Sequence, residues 1–233
     1  VNGIEFDTDG ASRDVDDEVD VSNGTDDDTV LGIGMVVTII GTVNDDGVTG
    51  TAESIEYDDE VEGPVAAAPV EDQDMLSKTF DIFNTTVVVG RDATVFEATD
   101  YDDLAQNDLL EISGYFDVDG KLLATRVEKE GVLVLGDSEV EIRGEVSGFD
   151  GIDTFLLGGI TIIFDGETEF EDLPGTVKDG QFVEVEGILD LATSIAASRI
   201  EREDEDFGDD VDQISIEGIV TDFNDIGNFK VAG

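Results

Sequence analysis

The stretch QFVEVEGILD, Gln181 to Asp190, alternates apolar and acidic residues before it reaches Gly187. Apolar residues at every second position are typical of a β-strand with one buried face. The next stretch, SIAASRIERE, has the composition of a partner strand, so the two predict a hairpin that turns near Asp190. Phe182, Val183, Val185 and Ile188 are the candidate core residues.

This hairpin belongs to a unit that repeats with a period of roughly 74 residues. Three independent ladders of residues keep the period: Phe6, Phe80, Phe155 and Phe229; Gly41, Gly114 and Gly187; Ile55, Val127 and Ile200. The phenylalanines are separated by 74, 75 and 74 positions, and the glycines by 73 and 73. The chain is therefore predicted to be an array of one small module.

The third unit shows the layout of the module most clearly. GEVSGFD (144–150), TFLLGG (154–159) and ITIIFDGETEFE (160–171) predict three strands, and DLPGTVKDG (172–180) interrupts the pattern before the final hairpin. Five short strands with a break between the third and the fourth are typical of an OB-like barrel. Asp-Gly turns at Asp46 and Asp119 predict the same final hairpin in the other two units.

The sequence thus predicts an all-β protein of three tandem small five-stranded OB-like barrel modules, followed by a partial fourth. The predicted modules are residues 1–62, which lack the first strand; 63–143, which carry an inserted loop at 64–74; 144–217; and 218–233. The last segment is predicted to form only the first strands of a fourth module.

The units also share a longer pattern: Gly-x-Val, then Thr-x-Phe, then Asp-Leu-x-x-Gly-Asp-x-Val-x-Val-x-Gly, then Ala-x-x-Val/Ile. Segments 144–149, 154–159, 172–187 and 196–201 carry it in the third unit, and 103–114 and 122–128 in the second. The pattern resembles a family of uncharacterised tandem OB-like β-modules in secreted and surface-anchored bacterial proteins. The resemblance implies a secreted or surface location and brings no activity.

Charge and composition exclude several function classes. With 60 acidic residues against 11 basic ones, the net charge of −49 repels nucleic acids and anionic membranes. No apolar stretch is long enough to predict a membrane span. The chain has no His and no Cys, so the usual general bases and nucleophiles are absent, and we expect no enzymatic activity.

Calcium is the candidate cofactor, although none is certain. In EFDTDGASRDVD, residues 5–16, the acidic residues Asp7, Asp9 and Asp16 have a spacing that resembles an EF-hand loop. The alternative is an acidic β-turn, because a strand is expected at Ile4 to Phe6 and no flanking helices are predicted. The metal-ligand prediction is therefore Asp7, Asp9 and Asp16.

The two ends of the sequence complement each other. The first unit lacks a strand, and the last segment offers a surplus one. A missing strand leaves an open sheet edge, which natural proteins cover. We predict an assembly contact between the surplus strand and the first unit; its residues are Ile214, Ile216, Ile219, Val220 and Phe223 on one side and Ile4 and Phe6 on the other.

These observations predict a structural subunit of an extracellular filament or surface fibre, whose partners are copies of itself joined head to tail by strand complementation. The acidic surface would keep filaments apart. The alternative is a calcium- or saccharide-binding adhesin or stalk at the cell surface, which would be a fragment of a longer repeat protein. Both hypotheses predict an extracellular or cell-surface location.

Overall fold

The computed structural model describes residues 4–15, 18–20, 31–173, 176–202, 220–225 and 228–231. The chain divides into two compact units, Val1–Asp59 and Glu60–Gly233. Within the described ranges all regular structure is β-strand, which confirms the all-β prediction. These ranges contain no helix with the length and apolarity that a membrane crossing requires.

The unit of residues 1–59 is one sheet built around its longest strand. Its strands are β1 (Glu5–Asp7), β2 (Ser12–Val15), β3 (Glu18–Asp20), β4 (Thr38–Val43) and β5 (Thr49–Tyr57). β5 pairs antiparallel with β4 on one edge and parallel with β1 and then β2 on the other, and β3 pairs with β2. The turn between β4 and β5 contains Asp46 and Gly47, as the sequence predicts. There the Asp46 carboxylate accepts the backbone N–H groups of Val48 and Thr49, each at 2.9 Å.

The unit of residues 60–233 begins with a complete barrel. Its strands are β6 (Val61–Pro64), β7 (Val70–Glu71), β8 (Ser77–Ile82), β9 (Thr85–Gly90), β10 (Val95–Glu97), β11 (Asp108–Phe116) and β12 (Leu122–Val132). Around the ring, β6 pairs with β11, β11 with β12, β12 with β9 in parallel, and β9 with β8. A single bridge between Val65 and Ile82 closes the ring between β8 and the end of β6.

A second complete barrel follows and has the same topology. Its strands are β13 (Glu139–Ser147), β14 (Thr154–Leu157), β15 (Ile160–Ile163), β16 (Glu169–Glu171), β17 (Phe182–Leu191) and β18 (Ser194–Arg202). The ring runs β13–β14–β15–β18–β17 and returns to β13, with β15 and β18 parallel. This order is that of an OB-like barrel, in which the third strand pairs with the fifth and the first with the fourth.

Two details of the third repeat differ from the sequence prediction. β13 begins at Glu139 rather than at Gly144, and its early part reaches the neighbouring barrel, where Glu141 pairs with Glu62 of β6. The predicted third strand is two strands, β15 and β16. A turn separates them because the Asp165 carboxylate accepts the backbone N–H of Glu167 at 2.8 Å. Both strands then pair in parallel with β18.

The last described elements are β19 (Val220–Asp225) and β20 (Asn228–Val231), which form an antiparallel hairpin. They provide the strands of the partial fourth module. Together with the two barrels, they bear out the predicted tandem OB-like architecture.

The inserted segment 64–74 does not simply project from the second repeat. Its β7 pairs with β8, and a charged aromatic cluster fastens it. Arg91 lies over the Tyr101 ring at 4.1 Å from its centroid and forms an ion pair with Glu71 of β7 at 3.2 Å. Lys78 lies 4.5 Å from the same centroid. The Glu71–Arg91 ion pair and the β7–β8 pairing hold the insertion against the barrel, and the cation–π contact with Tyr101 positions Arg91.

Each complete barrel encloses its own apolar core. Val87, Leu110 and Ile112 are fully buried in the first core, and Ile162 and Val185 in the second. Phe83 packs against both clusters, so the two barrels of this unit adjoin. The alternating strands predicted from the sequence supply these residues, because alternation places one face of each strand inside the barrel.

Candidate assembly site

The sheet of residues 4–59 corresponds to only part of a barrel. Gly41, Gly114 and Gly187 each lie where the register shifts in the hairpin formed by the fourth and fifth barrel strands. They pair with Ala52, Ala124 and Ala197, respectively. β4 and β5 therefore occupy the fourth and fifth strand positions, which β17 and β18 occupy in the last barrel.

The register of β1 then assigns it to the third position. Phe6 pairs with Gly50 of β5, and the equivalent pairs are Val87 with Leu122 and Ile162 with Ile195. The phenylalanine ladder instead predicts that Phe6 lies on a second strand, because Phe80 and Phe155 do. The parallel pairing of β1 with β5 excludes the second position, since the second strands of the complete barrels, β8 and β14, do not pair with the fifth strands.

The described part of this sheet thus has strands at the third, fourth and fifth positions and none at the first two. We call the sheet of β1 to β5 the half-barrel. Among the described residues, β4 and β1 each pair with β5 and with no other strand. Two edges that are paired in the complete barrels therefore have no described partner strand in the half-barrel.

The apolar face of the half-barrel is only partly covered. Val37 and Ile39 are half-buried, whereas the equivalent Leu110 and Ile112 have no exposed surface. Phe6 is also half-buried, although Val87 at its position is fully buried. The buried cluster of the half-barrel contains Ala11, Ala52 and Ile55, and larger side chains pack at its margin.

The β19–β20 hairpin has the register of the two strands that the half-barrel lacks. Val220 pairs with Val231, and 74 residues earlier Val146 of β13 pairs with Leu157 of β14. Phe229 likewise corresponds to Phe155, which packs in the last barrel. The hairpin therefore carries strand positions one and two.

The predicted assembly residues are distributed as follows. Phe6 lies on β1, with Ile4 directly before it, and Val220 and Phe223 lie on β19. Ile214, Ile216 and Ile219 lie outside the described residues. The contact between the two sets remains a prediction.

The predicted calcium ligands lie between strands rather than between helices. Asp7 ends β1, and its carboxylate accepts the backbone N–H of Asp9 at 3.0 Å. Both residues are exposed, and Asp16 lies outside the described residues. This is the geometry of an acidic turn, and calcium binding at this loop stays a prediction.

The complete barrels contain a feature that the sequence analysis missed, namely a nearly buried arginine on each fifth strand. Arg126 forms ion pairs with Glu97 and, at 2.9 Å, with Glu128. Arg199 occupies the equivalent position, one residue before Ile200 as Arg126 is before Val127. It forms ion pairs with carboxylates on three strands; these are Glu171 at 3.4 Å, Glu184 at 3.1 Å, Glu186 and Glu201.

Carboxylates at these clusters could be mistaken for a metal site. Oxygens of Glu111, Glu128 and Glu130 lie within 4.8 Å of one another, and so do those of Glu141, Glu184 and Glu186. In both groups an arginine supplies the positive charge, because Arg126 pairs with Glu128 and Arg199 with Glu184 and Glu186. The arrangement is typical of a structural ion network, which in the last barrel ties β16, β17 and β18 together.

The family comparison concerns the two complete barrels. The family model described as "Domain of unknown function (DUF5666)" matches residues 62–128 and 143–201, which together are more than half of the chain. The chain belongs to the DUF5666 family. No curated protein matches it. The solved structure of drosophila Unr CSD456 is similar at 13% sequence identity with a TM-score of 0.24, over 82% of this chain and 81% of that chain.

The two DUF5666 matches end at the arginine clusters, so each matched segment includes the fifth-strand arginine and its glutamate partner on β10 or β16. The repeat ladders could have revealed the arginines, because Arg126 and Arg199 directly precede ladder positions. Their burial could not be inferred from the sequence, since alternating Arg and Glu also suit a solvated strand face.

The pKa values of acidic groups shift in opposite directions in different parts of the protein. Burial raises the pKa of Glu186, and the carboxylates of Glu201, Glu139 and Glu171 raise it further. Burial also raises the pKa of Glu130. In contrast, backbone N–H donors lower the pKa of turn aspartates, namely Val48 for Asp46, Leu76 for Asp72 and Ile152 for Asp150.

We therefore expect thermal stability to pass through a maximum in mildly acidic solution. The carboxylates of Glu186 and Glu130 bind protons more tightly in the folded state than in the unfolded state. The melting temperature should therefore rise as the pH falls from 7 towards 4.5, which is the ordinary pKa of a glutamate. The turn aspartates act oppositely, and their contribution is lost as pH falls below 3.8. Protonation also reduces the net negative charge of the chain, and the weaker self-repulsion adds to the stabilisation between pH 7 and pH 4.5.

The measurement is the melting temperature by circular dichroism of dilute protein from pH 7 down to about pH 3. The Glu186→Gln variant is the control, and its melting temperature should rise less between pH 7 and pH 5. A melting temperature that falls steadily from pH 7 would contradict the assignment.

Proposed function

We propose that the chain is a structural subunit of an extracellular filament or surface fibre, in which acidic barrel modules are joined head to tail by strand complementation. One observation carries the proposal. The half-barrel has edges without a described partner strand, and the same chain has a hairpin with the register of the missing strands. Main-chain hydrogen bonds along such an edge give affinity, and apolar side chains from the added strand complete the core.

The symmetry of this contact favours a filament over a closed dimer. The donating hairpin and the accepting half-barrel are different surfaces, so each subunit can donate to one neighbour and accept from another. Contacts of this heterologous kind form rings or open filaments. The net charge of −49 would oppose side-by-side association and leave the end-to-end contact as the favoured one.

The extracellular setting of this function is supported by the resemblance of the repeat pattern to modules of secreted and surface-anchored bacterial proteins. Each complete barrel would serve as a rigid spacer module, since each has its own core. A chain of such spacers suits a stalk or fibre that extends from a surface.

Removal of the hairpin is expected to abolish assembly. The full chain should form oligomers whose mean mass rises with concentration, measured by light scattering, and threads should be visible by electron microscopy. A variant that lacks residues 213–233 should remain monomeric at every concentration, because the donor is gone.

A point substitution provides a matched pair of controls. Phe229→Asp in β20 should also prevent assembly, because a buried charge without a partner is costly. Phe116→Asp changes an exposed residue of β11 to the same charge and should assemble as the full chain does. Subunits without residues 213–233 that still polymerise normally would refute strand complementation.

A further inference from the structure

We propose that the two complete barrels are one cooperative unit, in which β6 and Phe83 transmit the opening of either barrel to the other. β6 is the first strand of the first complete barrel, and it is also a neighbour of β13 in the second. A shared strand of this kind is a conformational device, because its loss from one barrel removes a neighbour from the other. The inference does not depend on the proposed function, since it concerns only the two complete barrels.

The backbone of β6 is paired on both sides. On one side it pairs antiparallel with β11 along its whole length. The backbone N–H of Val65, directly after β6, extends this contact by donating to the carbonyl oxygen of Asp108 at 2.9 Å. On the other side, Glu62 of β6 pairs with Glu141 of β13. The strands of both barrels therefore belong to one continuous sheet.

The register of this joint brings like charges together. Glu62 lies directly opposite Glu111 on one side and Glu141 on the other. Like charges on directly opposed residues destabilise a strand pair. Arg143 forms an ion pair with Glu141 at 3.3 Å, which acts against this repulsion. Because the two electrostatic effects oppose each other, we attribute the coupling to the apolar contacts across the joint.

Phe83 is the apolar link between the two cores. It lies in the turn between β8 and β9 and packs against both buried clusters. Gly63 of β6 makes room for the ring, because a Cβ atom there would lie 2.6 Å from Cε2 of Phe83. The backbone of Phe83 has a φ of +50°, which is costly for a bulky residue. Strain of this kind persists only where the surrounding contacts impose it, and here those contacts come from two cores.

Leu109 reaches the second core from the opposite face of β11. Leu110 and Ile112 of the same strand are buried in the first core, whereas Leu109 belongs to the buried cluster of the second barrel. Successive side chains of a strand point to opposite faces, so one strand supplies both cores. Leu133, directly after β12, packs against the same second cluster, and its backbone N–H donates to the carbonyl oxygen of Asn107 at 2.9 Å. The second core thus includes residues that the first barrel positions.

The turns of the two barrels also meet. Asn84 follows Phe83 in the β8–β9 turn, and a Cβ atom added at Gly158 of the β14–β15 turn would overlap its side-chain amide. Gly158 has a φ of +53°, a conformation that favours glycine. The turn of the first barrel therefore rests directly on the turn of the second.

These contacts predict that the barrels unfold together. If the first barrel opened at β6, Phe83 and Leu109 would lose their native positions, and the second barrel would lose part of its core. Residues that share packing partners are energetically coupled rather than independent. We therefore expect one unfolding transition for both barrels, although each has a core of its own.

Two tryptophan reporters test the coupling, because the chain contains no tryptophan of its own. Phe96 of β10 and Phe170 of β16 hold equivalent positions, each paired in parallel with the fifth strand of its own barrel. Phe96→Trp and Phe170→Trp are introduced into separate full-length chains, and unfolding in guanidinium chloride is followed by fluorescence. The two midpoints should coincide.

A substitution confined to one core separates coupling from coincidence. Phe80 is 4% exposed in the first core, and Phe155 is its equivalent in the second, with 1% exposed. Phe80→Ala should lower the midpoints of the Phe96→Trp and Phe170→Trp reporters by the same amount, and so should Phe155→Ala. The coupling is overturned if each substitution lowers only the midpoint in its own barrel. If Phe80→Ala prevents the first barrel from folding, native fluorescence of the Phe170→Trp reporter would overturn the coupling, and unfolded fluorescence would support it.

Phe83→Ala is the matched variant at the joint, since it removes the same ring three residues from Phe80. It should separate the midpoints of the two reporters, because the apolar link between the cores is gone. Midpoints that still coincide, and that Phe80→Ala still lowers together, would overturn the assignment of Phe83 as the link. None of these outcomes bears on the proposed function, because assembly is not what the reporters measure.

Discussion

Replacement of Gly187 with alanine is expected to destabilise the last barrel by about 3 kcal/mol, because the new methyl group has no room. A Cβ atom at this position would lie 2.2 Å from the backbone oxygen of Ala196 and 2.9 Å from the Cα atom of Ala197. Both neighbours are backbone atoms of β18, so a side-chain rotation cannot relieve the overlap. The barrel must instead move two paired strands apart.

The same overlap explains the glycine ladder. A Cβ at Gly41 would lie 2.2 Å from the oxygen of Thr51, and one at Gly114 would lie 2.4 Å from the oxygen of Leu123. Each glycine therefore allows the fourth and fifth strands to approach closely where their register shifts. Gly114→Ala should destabilise its barrel by a similar amount.

Chemical denaturation followed by circular dichroism measures this effect, and Gly144→Ala is the matched control. Gly144 lies on β13 of the same barrel, and the nearest atom to its added Cβ would be a Leu157 methyl at 3.7 Å, an ordinary contact. The control should change the free energy of unfolding by less than about 1 kcal/mol. Equal effects of the two substitutions would show that the close approach at Gly187 is not required.

Replacement of Arg199 with methionine is expected to destabilise the same barrel by about 3 kcal/mol, because it removes the guanidinium that pairs with Glu171, Glu184, Glu186 and Glu201. Glu184 is 4% exposed and lies 3.1 Å from the Arg199 guanidinium, and it would keep its second ion pair, which is with Arg143. Glu186 already has a raised pKa in the intact protein, since burial disfavours its charged form. Without Arg199 these carboxylates would repel each other and take up protons at higher pH.

Acid and a second substitution separate this electrostatic cause from lost packing. The destabilisation by Arg199→Met should shrink as pH falls from 7 to 5, because protonation removes the unpaired charges. The double variant Arg199→Met/Glu186→Gln should recover part of the lost free energy of unfolding, because Glu186 is the partner of Arg199 whose pKa burial already raises. A penalty that does not depend on pH would indicate that the aliphatic part of Arg199 matters more than its charge.

Most of the fold could be predicted from the sequence because its strands alternate strictly and its turns contain Asp-Gly. The hairpin at Asp119–Gly120 shows this well, since the Asp117 carboxylate accepts backbone N–H groups of Asp119 and Lys121 at 2.8 and 2.9 Å. The boundary between β15 and β16 could not be predicted from the sequence. An apolar–acidic run such as ITIIFDGETEFE gives no sign that Asp165 forms a turn within it.

The strand position of Phe6 in the half-barrel could not be predicted from the sequence repeat. A phenylalanine suits the inner face of a second strand or of a third strand equally well, so the repeat of Phe6 with Phe80 could not identify its strand. Only the pairing partner distinguishes the two positions. β1 pairs in parallel with β5, so two strands rather than one have no described equivalent.

The most direct measurement of strand complementation mixes a donor with an acceptor. A chain without residues 213–233 keeps the half-barrel and lacks the donor, whereas a Phe6→Asp chain keeps the hairpin and carries a charge where the acceptor needs an apolar residue. Light scattering should find each variant monomeric alone and a one-to-one heterodimer in the equimolar mixture. If the mixture stays monomeric while the unmodified chain oligomerises, the hairpin does not complete the half-barrel, and strand complementation is contradicted.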